Sequence, residues 1–239
     1  MKIFQNPLKA FTKFELSLWA FSVICVTVSF VLPSEKDYLT LCASLCGVTA
    51  LIYSARGYVM AQILSIAFSL LYGIISIIFG YWGEALTYLC MTMPAAIAAT
   101  VSWLRHPYEK TAEVEVSKMT KKKVWLLLAL LPPVTAVFCV ALWALDTPNL
   151  FFSTVSISTS FVASYLAFMR SPFFALAYSF NDIVLIILWG FATAESVSYL
   201  PMVICFVMFL INDTYGFISW QKRERRQGRR DADFQTSQA

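Results

Sequence analysis

The placement of positive charge constrains the fold of this chain more than any other feature. Apolar stretches of about 20 residues recur along it, the length that crosses a ~30 Å hydrocarbon core, and all 18 lysines and arginines fall outside them. When the chain is followed back and forth through these stretches, every one of these cations except Lys36 lies on one face. This segregation is typical of multi-pass membrane proteins. The sequence therefore predicts an all-α membrane protein with eight transmembrane helices.

We place the spans at about 14–32, 38–54, 58–79, 85–104, 124–144, 150–169, 171–191 and 197–220. The face that carries the cations is called the basic face. The opposite, acidic face carries Lys36 together with five carboxylates: Glu35, Asp37, Glu84, Asp146 and Glu195. The positive-inside rule predicts that the basic face and both termini are cytoplasmic. The basic tail after the last span is interpreted as an anchor to anionic lipid rather than a nucleic-acid site.

The chain is predicted to contain two like units. Residues 37–104 and 150–220 each hold three spans, each with a basic turn (Arg56 or Arg170), and each ends on a tryptophan followed by a cation. Residues 105–149, a cytoplasmic loop and one linking helix, lie between them. Because that helix adds one crossing, both units have the same orientation, a parallel 3+1+3 plan like that of the SWEET carriers. Residues 1–36 are predicted to form an extra helix, an uncleaved signal anchor, and residues 221–239 a basic tail.

Polar side chains inside these spans are the candidate contacts to a solute, because such groups need a partner or a water-filled path. Span 3 carries a stripe on one helical face, and spans 7 and 8 carry carboxamides near mid-membrane. With neighbouring aromatic residues, the predicted substrate-binding set is Gln62, Ser65, Ser69, Tyr72, Tyr88, Tyr178, Asn181, Asp182, Trp189, Asn212 and Tyr215. The serines of span 6, Ser153, Ser156, Ser160 and Ser164, fit close helix packing better than a site.

The two carboxylates inside spans leave several roles open. Asp182 is suited to balance a cationic solute, carry a proton, bond a sugar hydroxyl or act as a satisfied structural acid. Asp213 is given less weight because it lies on a different helical face from Asn212.

Residues of the kinds needed for catalysis and metal binding are scarce. The only histidine, His106, lies in the long loop, and the spans hold no nucleotide-binding glycine loop, Ser-His pair or metal-ligand set. We therefore expect no enzyme activity, no cofactor and no metal. A lipid-modifying enzyme and a sensor with packed helices are weaker alternatives.

Three segments carry a resemblance to a known family. FNDIVLIILWG in span 7, LINDTYGFISWQKR in span 8 and YWGEALTYL at the start of span 4 stand in the order found in the nicotinamide riboside transporters of the PnuC type. The chain resembles that family over about residues 38–222, and the first helix is an addition.

The resemblance implies a carrier of nicotinamide riboside in the bacterial inner membrane, working by facilitated diffusion with trapping by cytoplasmic phosphorylation. It also implies a homo-oligomer, a trimer. Relatives of this kind carry thiamine or other vitamins, so a different vitamin-like solute, with or without proton coupling, stays open. The lack of lysine and arginine inside the spans independently favours a cargo without phosphate.

Overall fold

The computed structural model describes residues 11–31, 33, 37–109, 111–147 and 149–238, with side chains described as far as Arg230. Five charged residues used in the topology argument lie outside the described residues: Lys2, Lys9, Glu35, Lys36 and Lys110.

The prediction of eight spans is confirmed. Within the described residues, eight helices are long and apolar enough to cross a membrane. Their bounds are α1 Lys13–Val31, α2 Tyr38–Ala55, α3 Met60–Ile78, α4 Trp82–Arg105, α5 Lys121–Ala144, α6 Leu150–Phe168, α7 Phe174–Glu195 and α8 Leu200–Gln238. The predicted spans agree to within a few residues, except that α8 continues as a helix through the segment predicted to be a basic tail.

Local chemistry sets where several helices begin and end. Asp37 caps α2 by accepting hydrogen bonds from the backbone N–H groups of Leu39 and Thr40 at 3.0 and 3.2 Å. Gly57 and Gly80, at φ 65° and 76°, make the left-handed turns that separate α2 from α3 and α3 from α4. These short turns force consecutive helices to pack side by side.

Helix packing divides the core into two triplets. α3 packs on α2 and α4 in the first, and α7 packs on α6 and α8 in the second. The triplets meet through α2 against α8 and α4 against α6. The two triplets therefore make equivalent contacts when α2, α3 and α4 are taken as the counterparts of α6, α7 and α8. This is expected for two units of like orientation. α5 packs mainly on α6, and most of its surface is exposed.

The two triplets exchange matching hydrogen bonds at the basic face. Trp103 at the end of α4 donates its indole N–H to the carbonyl oxygen of Ala167 in α6 at 2.9 Å. Trp220 in α8 donates to the carbonyl oxygen of Ser54 in α2 at 2.8 Å. Each tryptophan is fully buried. The preceding serines add a second bond each, Ser102 to Phe168 at 2.9 Å and Ser219 to Ala55 at 2.7 Å.

These four bonds, called here the Ser-Trp clamp, satisfy carbonyl groups at helix ends. The last carbonyls of a helix have no partner within it, so α2 and α6 each end against side chains of the other triplet. The clamp thus closes both helix ends and joins the triplets.

The extra helix α1 lies over the seam between α2 and α8. The Glu15 carboxylate, 2% exposed, accepts hydrogen bonds from Arg56 Nε at 2.9 Å and from the Tyr215 hydroxyl at 3.0 Å. A buried carboxylate needs such partners. One side chain of α1, Glu15, therefore forms hydrogen bonds with both triplets.

The long connection between α4 and α5 binds the core through its backbone. In the segment 106–120, called the strap, the N–H of Val114 donates to Gly57 O at 2.9 Å and that of Ser117 to Arg170 O at 3.0 Å. The Gln227 carboxamide accepts from Val116 N at 2.8 Å and donates to Val114 O at 3.2 Å. The strap therefore connects the related turns of both triplets with the extended end of α8.

Replacing Trp103 or Trp220 by phenylalanine is expected to destabilise the protein by a similar amount, about 1 kcal/mol, because each change removes one of the two hydrogen bonds that a carbonyl at a helix end accepts and leaves the other, from Arg170 N or Gly57 N, in place. Thermal unfolding of the purified chain measures the effect. Trp143→Phe is the matched control, since Trp143 on α5 is 72% exposed. Equal unfolding temperatures for all three variants would contradict a role for the clamp.

Candidate functional site

A cavity with about 550 Å³ of open space lies between the triplets, near the middle of the spans. It is lined by Gly47, Ala50, Ser65, Phe68, Ser69, Tyr88, Thr92, Ser160, Tyr178, Asn181, Asp182, Phe206, Phe209 and Asp213. Helices α2, α3 and α4 of the first triplet and α6, α7 and α8 of the second all contribute. Its wall combines apolar and aromatic side chains with a set of polar ones, which is the kind of lining that orients a small polar molecule. The polar members are Ser65, Ser69, Thr92, Ser160, Asn181, Asp182 and Asp213.

A wide turn in α4 shapes one wall. Residues Thr87–Thr92 form a π-helical segment just before Pro94. Proline has no N–H to donate to the preceding turn, which removes one α-helical bond and allows the wider winding. Tyr88 and Thr92 of this segment both line the cavity. π-helical turns occur frequently at functional sites.

The hydroxyls of α6 fix the carboxamide of Asn181. Its Oδ1 accepts hydrogen bonds from Thr159 at 2.8 Å, from Ser160 at 2.9 Å and from Ser156 at 3.4 Å. Its amide nitrogen donates no hydrogen bond within the described part of the chain. The serines of α6 therefore do more than pack, because they hold one end of a cavity carboxamide whose two N–H donors are left for a ligand.

Two carboxyl groups share the cavity wall. Asp182 of α7 and Asp213 of α8 lie within hydrogen-bonding reach of each other, and both are buried. Asp182 Oδ2 makes no hydrogen bond to any described residue. Among the residues described, no lysine, arginine or histidine lines this cavity. The site therefore offers carboxyl groups without a fixed positive charge among the described lining residues, and it favours positively charged or neutral ligands.

Aromatic side chains close the cavity toward both faces. On the acidic side, Tyr72 packs on Tyr88 with ring centroids 4.3 Å apart, and Trp189 stands behind it against Tyr81 at 4.9 Å. On the basic side, Phe174 packs edge-on against Trp220 of the clamp at 4.8 Å. Aromatic layers therefore lie on both the acidic and the basic side of the cavity.

The structure brings six of the eleven sequence-predicted residues to the cavity wall: Ser65, Ser69, Tyr88, Tyr178, Asn181 and Asp182. Tyr72 and Trp189 lie one layer toward the acidic face, in contact with each other. Gln62 is buried on α3, one turn toward the basic face from Ser65, and does not line the cavity.

Asn212 and Tyr215 face α1, whereas the sequence predicted that they would face the solute. The amide of Asn212 donates to Ser22 Oγ at 2.8 Å, and the Tyr215 hydroxyl donates to Glu15. The helical face that includes Asp213 is the one turned to the cavity. The prediction for the direction of α8 was wrong at Asn212 and Tyr215 because polar groups of α1, Ser22 and Glu15, bind these two side chains.

Several cavity residues were missed altogether, notably Phe68, Phe206 and Phe209 together with Thr92 and Gly47. The spacing of three of the residues that line the cavity could have predicted their shared direction. Phe206, Phe209 and Asp213 recur at intervals of three and four residues, which is one face of a helix. Gly47 lies against the ring of Phe209, where an added Cβ would come within 2.3 Å of it.

Comparison with known proteins now decides the family. Residues 37–222 match the family model described as nicotinamide mononucleotide transporter. The chain belongs to this family. The matched segment begins at α2 and ends in α8, so it contains both triplets, the strap and α5.

Two known proteins resemble the chain over most of its length. It is 24% identical over 221 residues to the nicotinamide riboside transporter PnuC of Neisseria mucosa, which covers 90% of this chain and 83% of the relative. A crystal structure of the vitamin B3 transporter PnuC superposes with a TM-score of 0.79 at 24% identity, covering 91% of this chain and 94% of that one. The chain is a multi-pass membrane protein of a transporter family and not an enzyme.

Asp213→Asn is expected to leave the unfolding temperature unchanged or to raise it. The asparagine amide can donate to the unpartnered oxygen of Asp182, and the change removes one member of a buried pair of acids. Thermal unfolding of the purified variant measures this. A fall of several degrees would show that the Asp213 carboxyl is needed for the fold, and so would argue against a role reserved for the ligand.

Proposed function

We propose that the chain carries nicotinamide riboside across the membrane by facilitated diffusion. The relatives are named for two related solutes, the riboside and the mononucleotide, which differ by one phosphate group. The charge of the cavity supports the riboside.

The observation that carries this proposal is the pair of carboxyls in a cavity without lining cations. Nicotinamide riboside bears a positively charged ring and no phosphate, so Asp182 and Asp213 would attract it. The mononucleotide adds a phosphate, which proteins normally bind with arginine, lysine or a helix N-terminus. Placing that phosphate beside two acids would bring like charges together in a poorly solvated space.

The remaining wall suits the rest of the riboside. The ring of Tyr88, next to those of Phe68 and Tyr72, offers faces to a planar cation. The free donors of Asn181 suit the oxygen of the ligand carboxamide, and the hydroxyls of Ser65, Ser69 and Tyr178 suit the ribose.

The setting of transport is part of the proposal. We place the basic face and both termini in the cytoplasm of a bacterial cell, with the protein in the inner membrane, since lysine and arginine are retained on the cytoplasmic side. Phosphorylation of the riboside there would trap it, because the product would be an anion that the cavity disfavours. A homotrimer in contact with membrane lipid is proposed on the family resemblance.

A second candidate is a carrier of another cationic vitamin such as thiamine, with or without proton coupling. The same acid pair favours it, since a carboxyl pair suits any compact cation and is also a site where a proton can be held. Titrating purified protein with nicotinamide riboside, thiamine, riboflavin and nicotinamide mononucleotide side by side separates the candidates.

Nicotinamide riboside is expected to bind roughly 100-fold or more tightly than nicotinamide mononucleotide, because like-charge contact costs several kcal/mol. Calorimetric titration of the purified chain gives both constants. Asp182→Asn should narrow the difference, whereas Glu195→Gln, an exposed acid of the acidic face, should not change it. Comparable affinity for the mononucleotide, or its uptake into vesicles, would refute the proposal.

Asn181→Ala should weaken riboside binding roughly tenfold, the value of about one lost hydrogen bond of 1.5 kcal/mol. Asn212→Ala is the matched comparison, since Asn212 is an equally buried carboxamide that bonds Ser22 of α1 and not the cavity. It should leave affinity unchanged. Equal losses in both variants would remove the assignment of Asn181 as a ligand contact.

A further inference from the structure

A second cavity, with about 390 Å³ of open space, lies at the basic face and differs from the central one in charge. It is lined by Arg56, Glu113, Ser219, Lys222, Arg223 and Arg226. Four of these side chains are cations and one is an acid. The wall combines the α2–α3 turn, the strap and α8, so both triplets contribute to it.

Arg223 is the unusual member of this group. Its side chain is 5% exposed, and its Nη2 donates to the carbonyl oxygen of Ala55 at 3.1 Å. Its Nε and Nη1 make no hydrogen bond to any described residue. Trp220 of the clamp packs beneath it, with the guanidinium carbon 5.2 Å from the ring centroid. A buried guanidinium with unmet N–H groups is costly to maintain without an acceptor.

The acids nearby do not neutralise the cluster. Glu113 is shared, lying 3.6 Å from Arg223 Nε while also pairing with Arg226. Arg56 is paired with Glu15 on the side facing α1. Lys222 is exposed. Even when Glu113 and Glu15 are both counted, the four cations outnumber the acids. The N–H groups of Arg223 that lack an acceptor lie in this region of excess positive charge.

The backbone is shaped to allow this arrangement. Gly57, in its left-handed turn, lies against the arginine, and an added Cβ there would stand 2.9 Å from Arg223 Nη1. A glycine therefore leaves room for the guanidinium at the point where the strap also bonds the turn.

We propose that this cavity is a phosphate-binding site, distinct from the transport cavity and open to the basic face. A phosphate group is compact, multiply charged and rich in acceptor oxygens, and it matches arginine donors well. Because the cavity is open to the basic face, the phosphate group of an ester can reach it as well. The same chemistry is present in free phosphates and in the headgroups of anionic lipids. An occupant would link α2, the strap and α8, and so hold the two triplets together at this face.

The test is thermal unfolding of the full chain in detergent, titrated with inorganic phosphate and adenosine monophosphate, with sodium chloride at matched ionic strength as reference. A saturable rise in unfolding temperature beyond that in chloride is expected. No such rise for either probe would overturn the proposal.

Two matched variants separate a built site from general attraction to a basic surface. Arg226→Gln, which alters a lining residue that is 54% exposed, should weaken phosphate binding roughly fivefold. Arg229→Gln makes the same change on an exposed residue one turn along α8, outside the cavity, and should have no effect. Equal effects of the two variants would contradict the site.

Glu113→Gln tests whether the arginines bind phosphate or only stabilise the fold, because a purely structural role for them would not predict tighter phosphate binding in this variant. Removing the competing carboxylate while keeping its shape should tighten phosphate binding roughly threefold. Unchanged or weaker binding would count against the proposal.

Lipid nanodiscs identify the source of the phosphate. In phosphatidylcholine discs, inorganic phosphate should still stabilise the wild-type chain. Phosphatidylglycerol is then added to the discs. If it abolishes the response of the wild-type chain to inorganic phosphate, while the smaller response of Arg226→Gln is unchanged, a lipid headgroup is the occupant. If the wild-type response persists, the site takes soluble phosphate. Absence of a phosphate response in phosphatidylcholine discs would overturn the site in a membrane setting.

Discussion

The reciprocal clamp at the basic face is the interaction on which the rest of the molecule depends. Trp103 and Trp220 each reach across to a carbonyl at the end of a helix in the other triplet. Each of these carbonyls also accepts a backbone N–H from the turn that follows its own helix, Arg170 N for Ala167 and Gly57 N for Ser54. The indole N–H therefore adds a second hydrogen bond, and this one comes from the other triplet. The central cavity exists between the triplets because they are joined at this end while their middles are separated by small residues such as Gly47, Ser69 and Ser160.

The two cavities show how a membrane protein can distribute charge by depth. In the central cavity two acids stand with no cation among the described lining residues, and in the cavity at the basic face the described arginines outnumber the acids. Family membership alone leaves open which solute is carried, since the family is named for the mononucleotide and a relative is named for the riboside. In the proposed function, Asp182 and Asp213 at mid-membrane are the groups that distinguish these solutes by charge.

Much of the fold could be predicted from the sequence, because hydrophobic length and the placement of cations are properties of whole segments. The eight spans and the paired Trp endings needed no tertiary information. The direction in which α8 turns did need it. Asn212 and Asp213 are adjacent, and only the position of α1, with Ser22 and Glu15, decides that the carboxamide faces α1 and the acid faces the cavity. The helical tail likewise depends on the strap, whose backbone bonds Gln227.

The wide turn in α4 links the two ends of the site. An α-helix advances 1.5 Å and turns about 100° per residue, so converting Thr87–Thr92 to regular winding would shift the register of one half of the helix against the other. Tyr88 and Thr92 would leave the cavity wall, and Trp103, further along the same helix, would rotate away from Ala167. The packing of a solute against α4 and the closure of the basic face are therefore geometrically coupled through a single helical register.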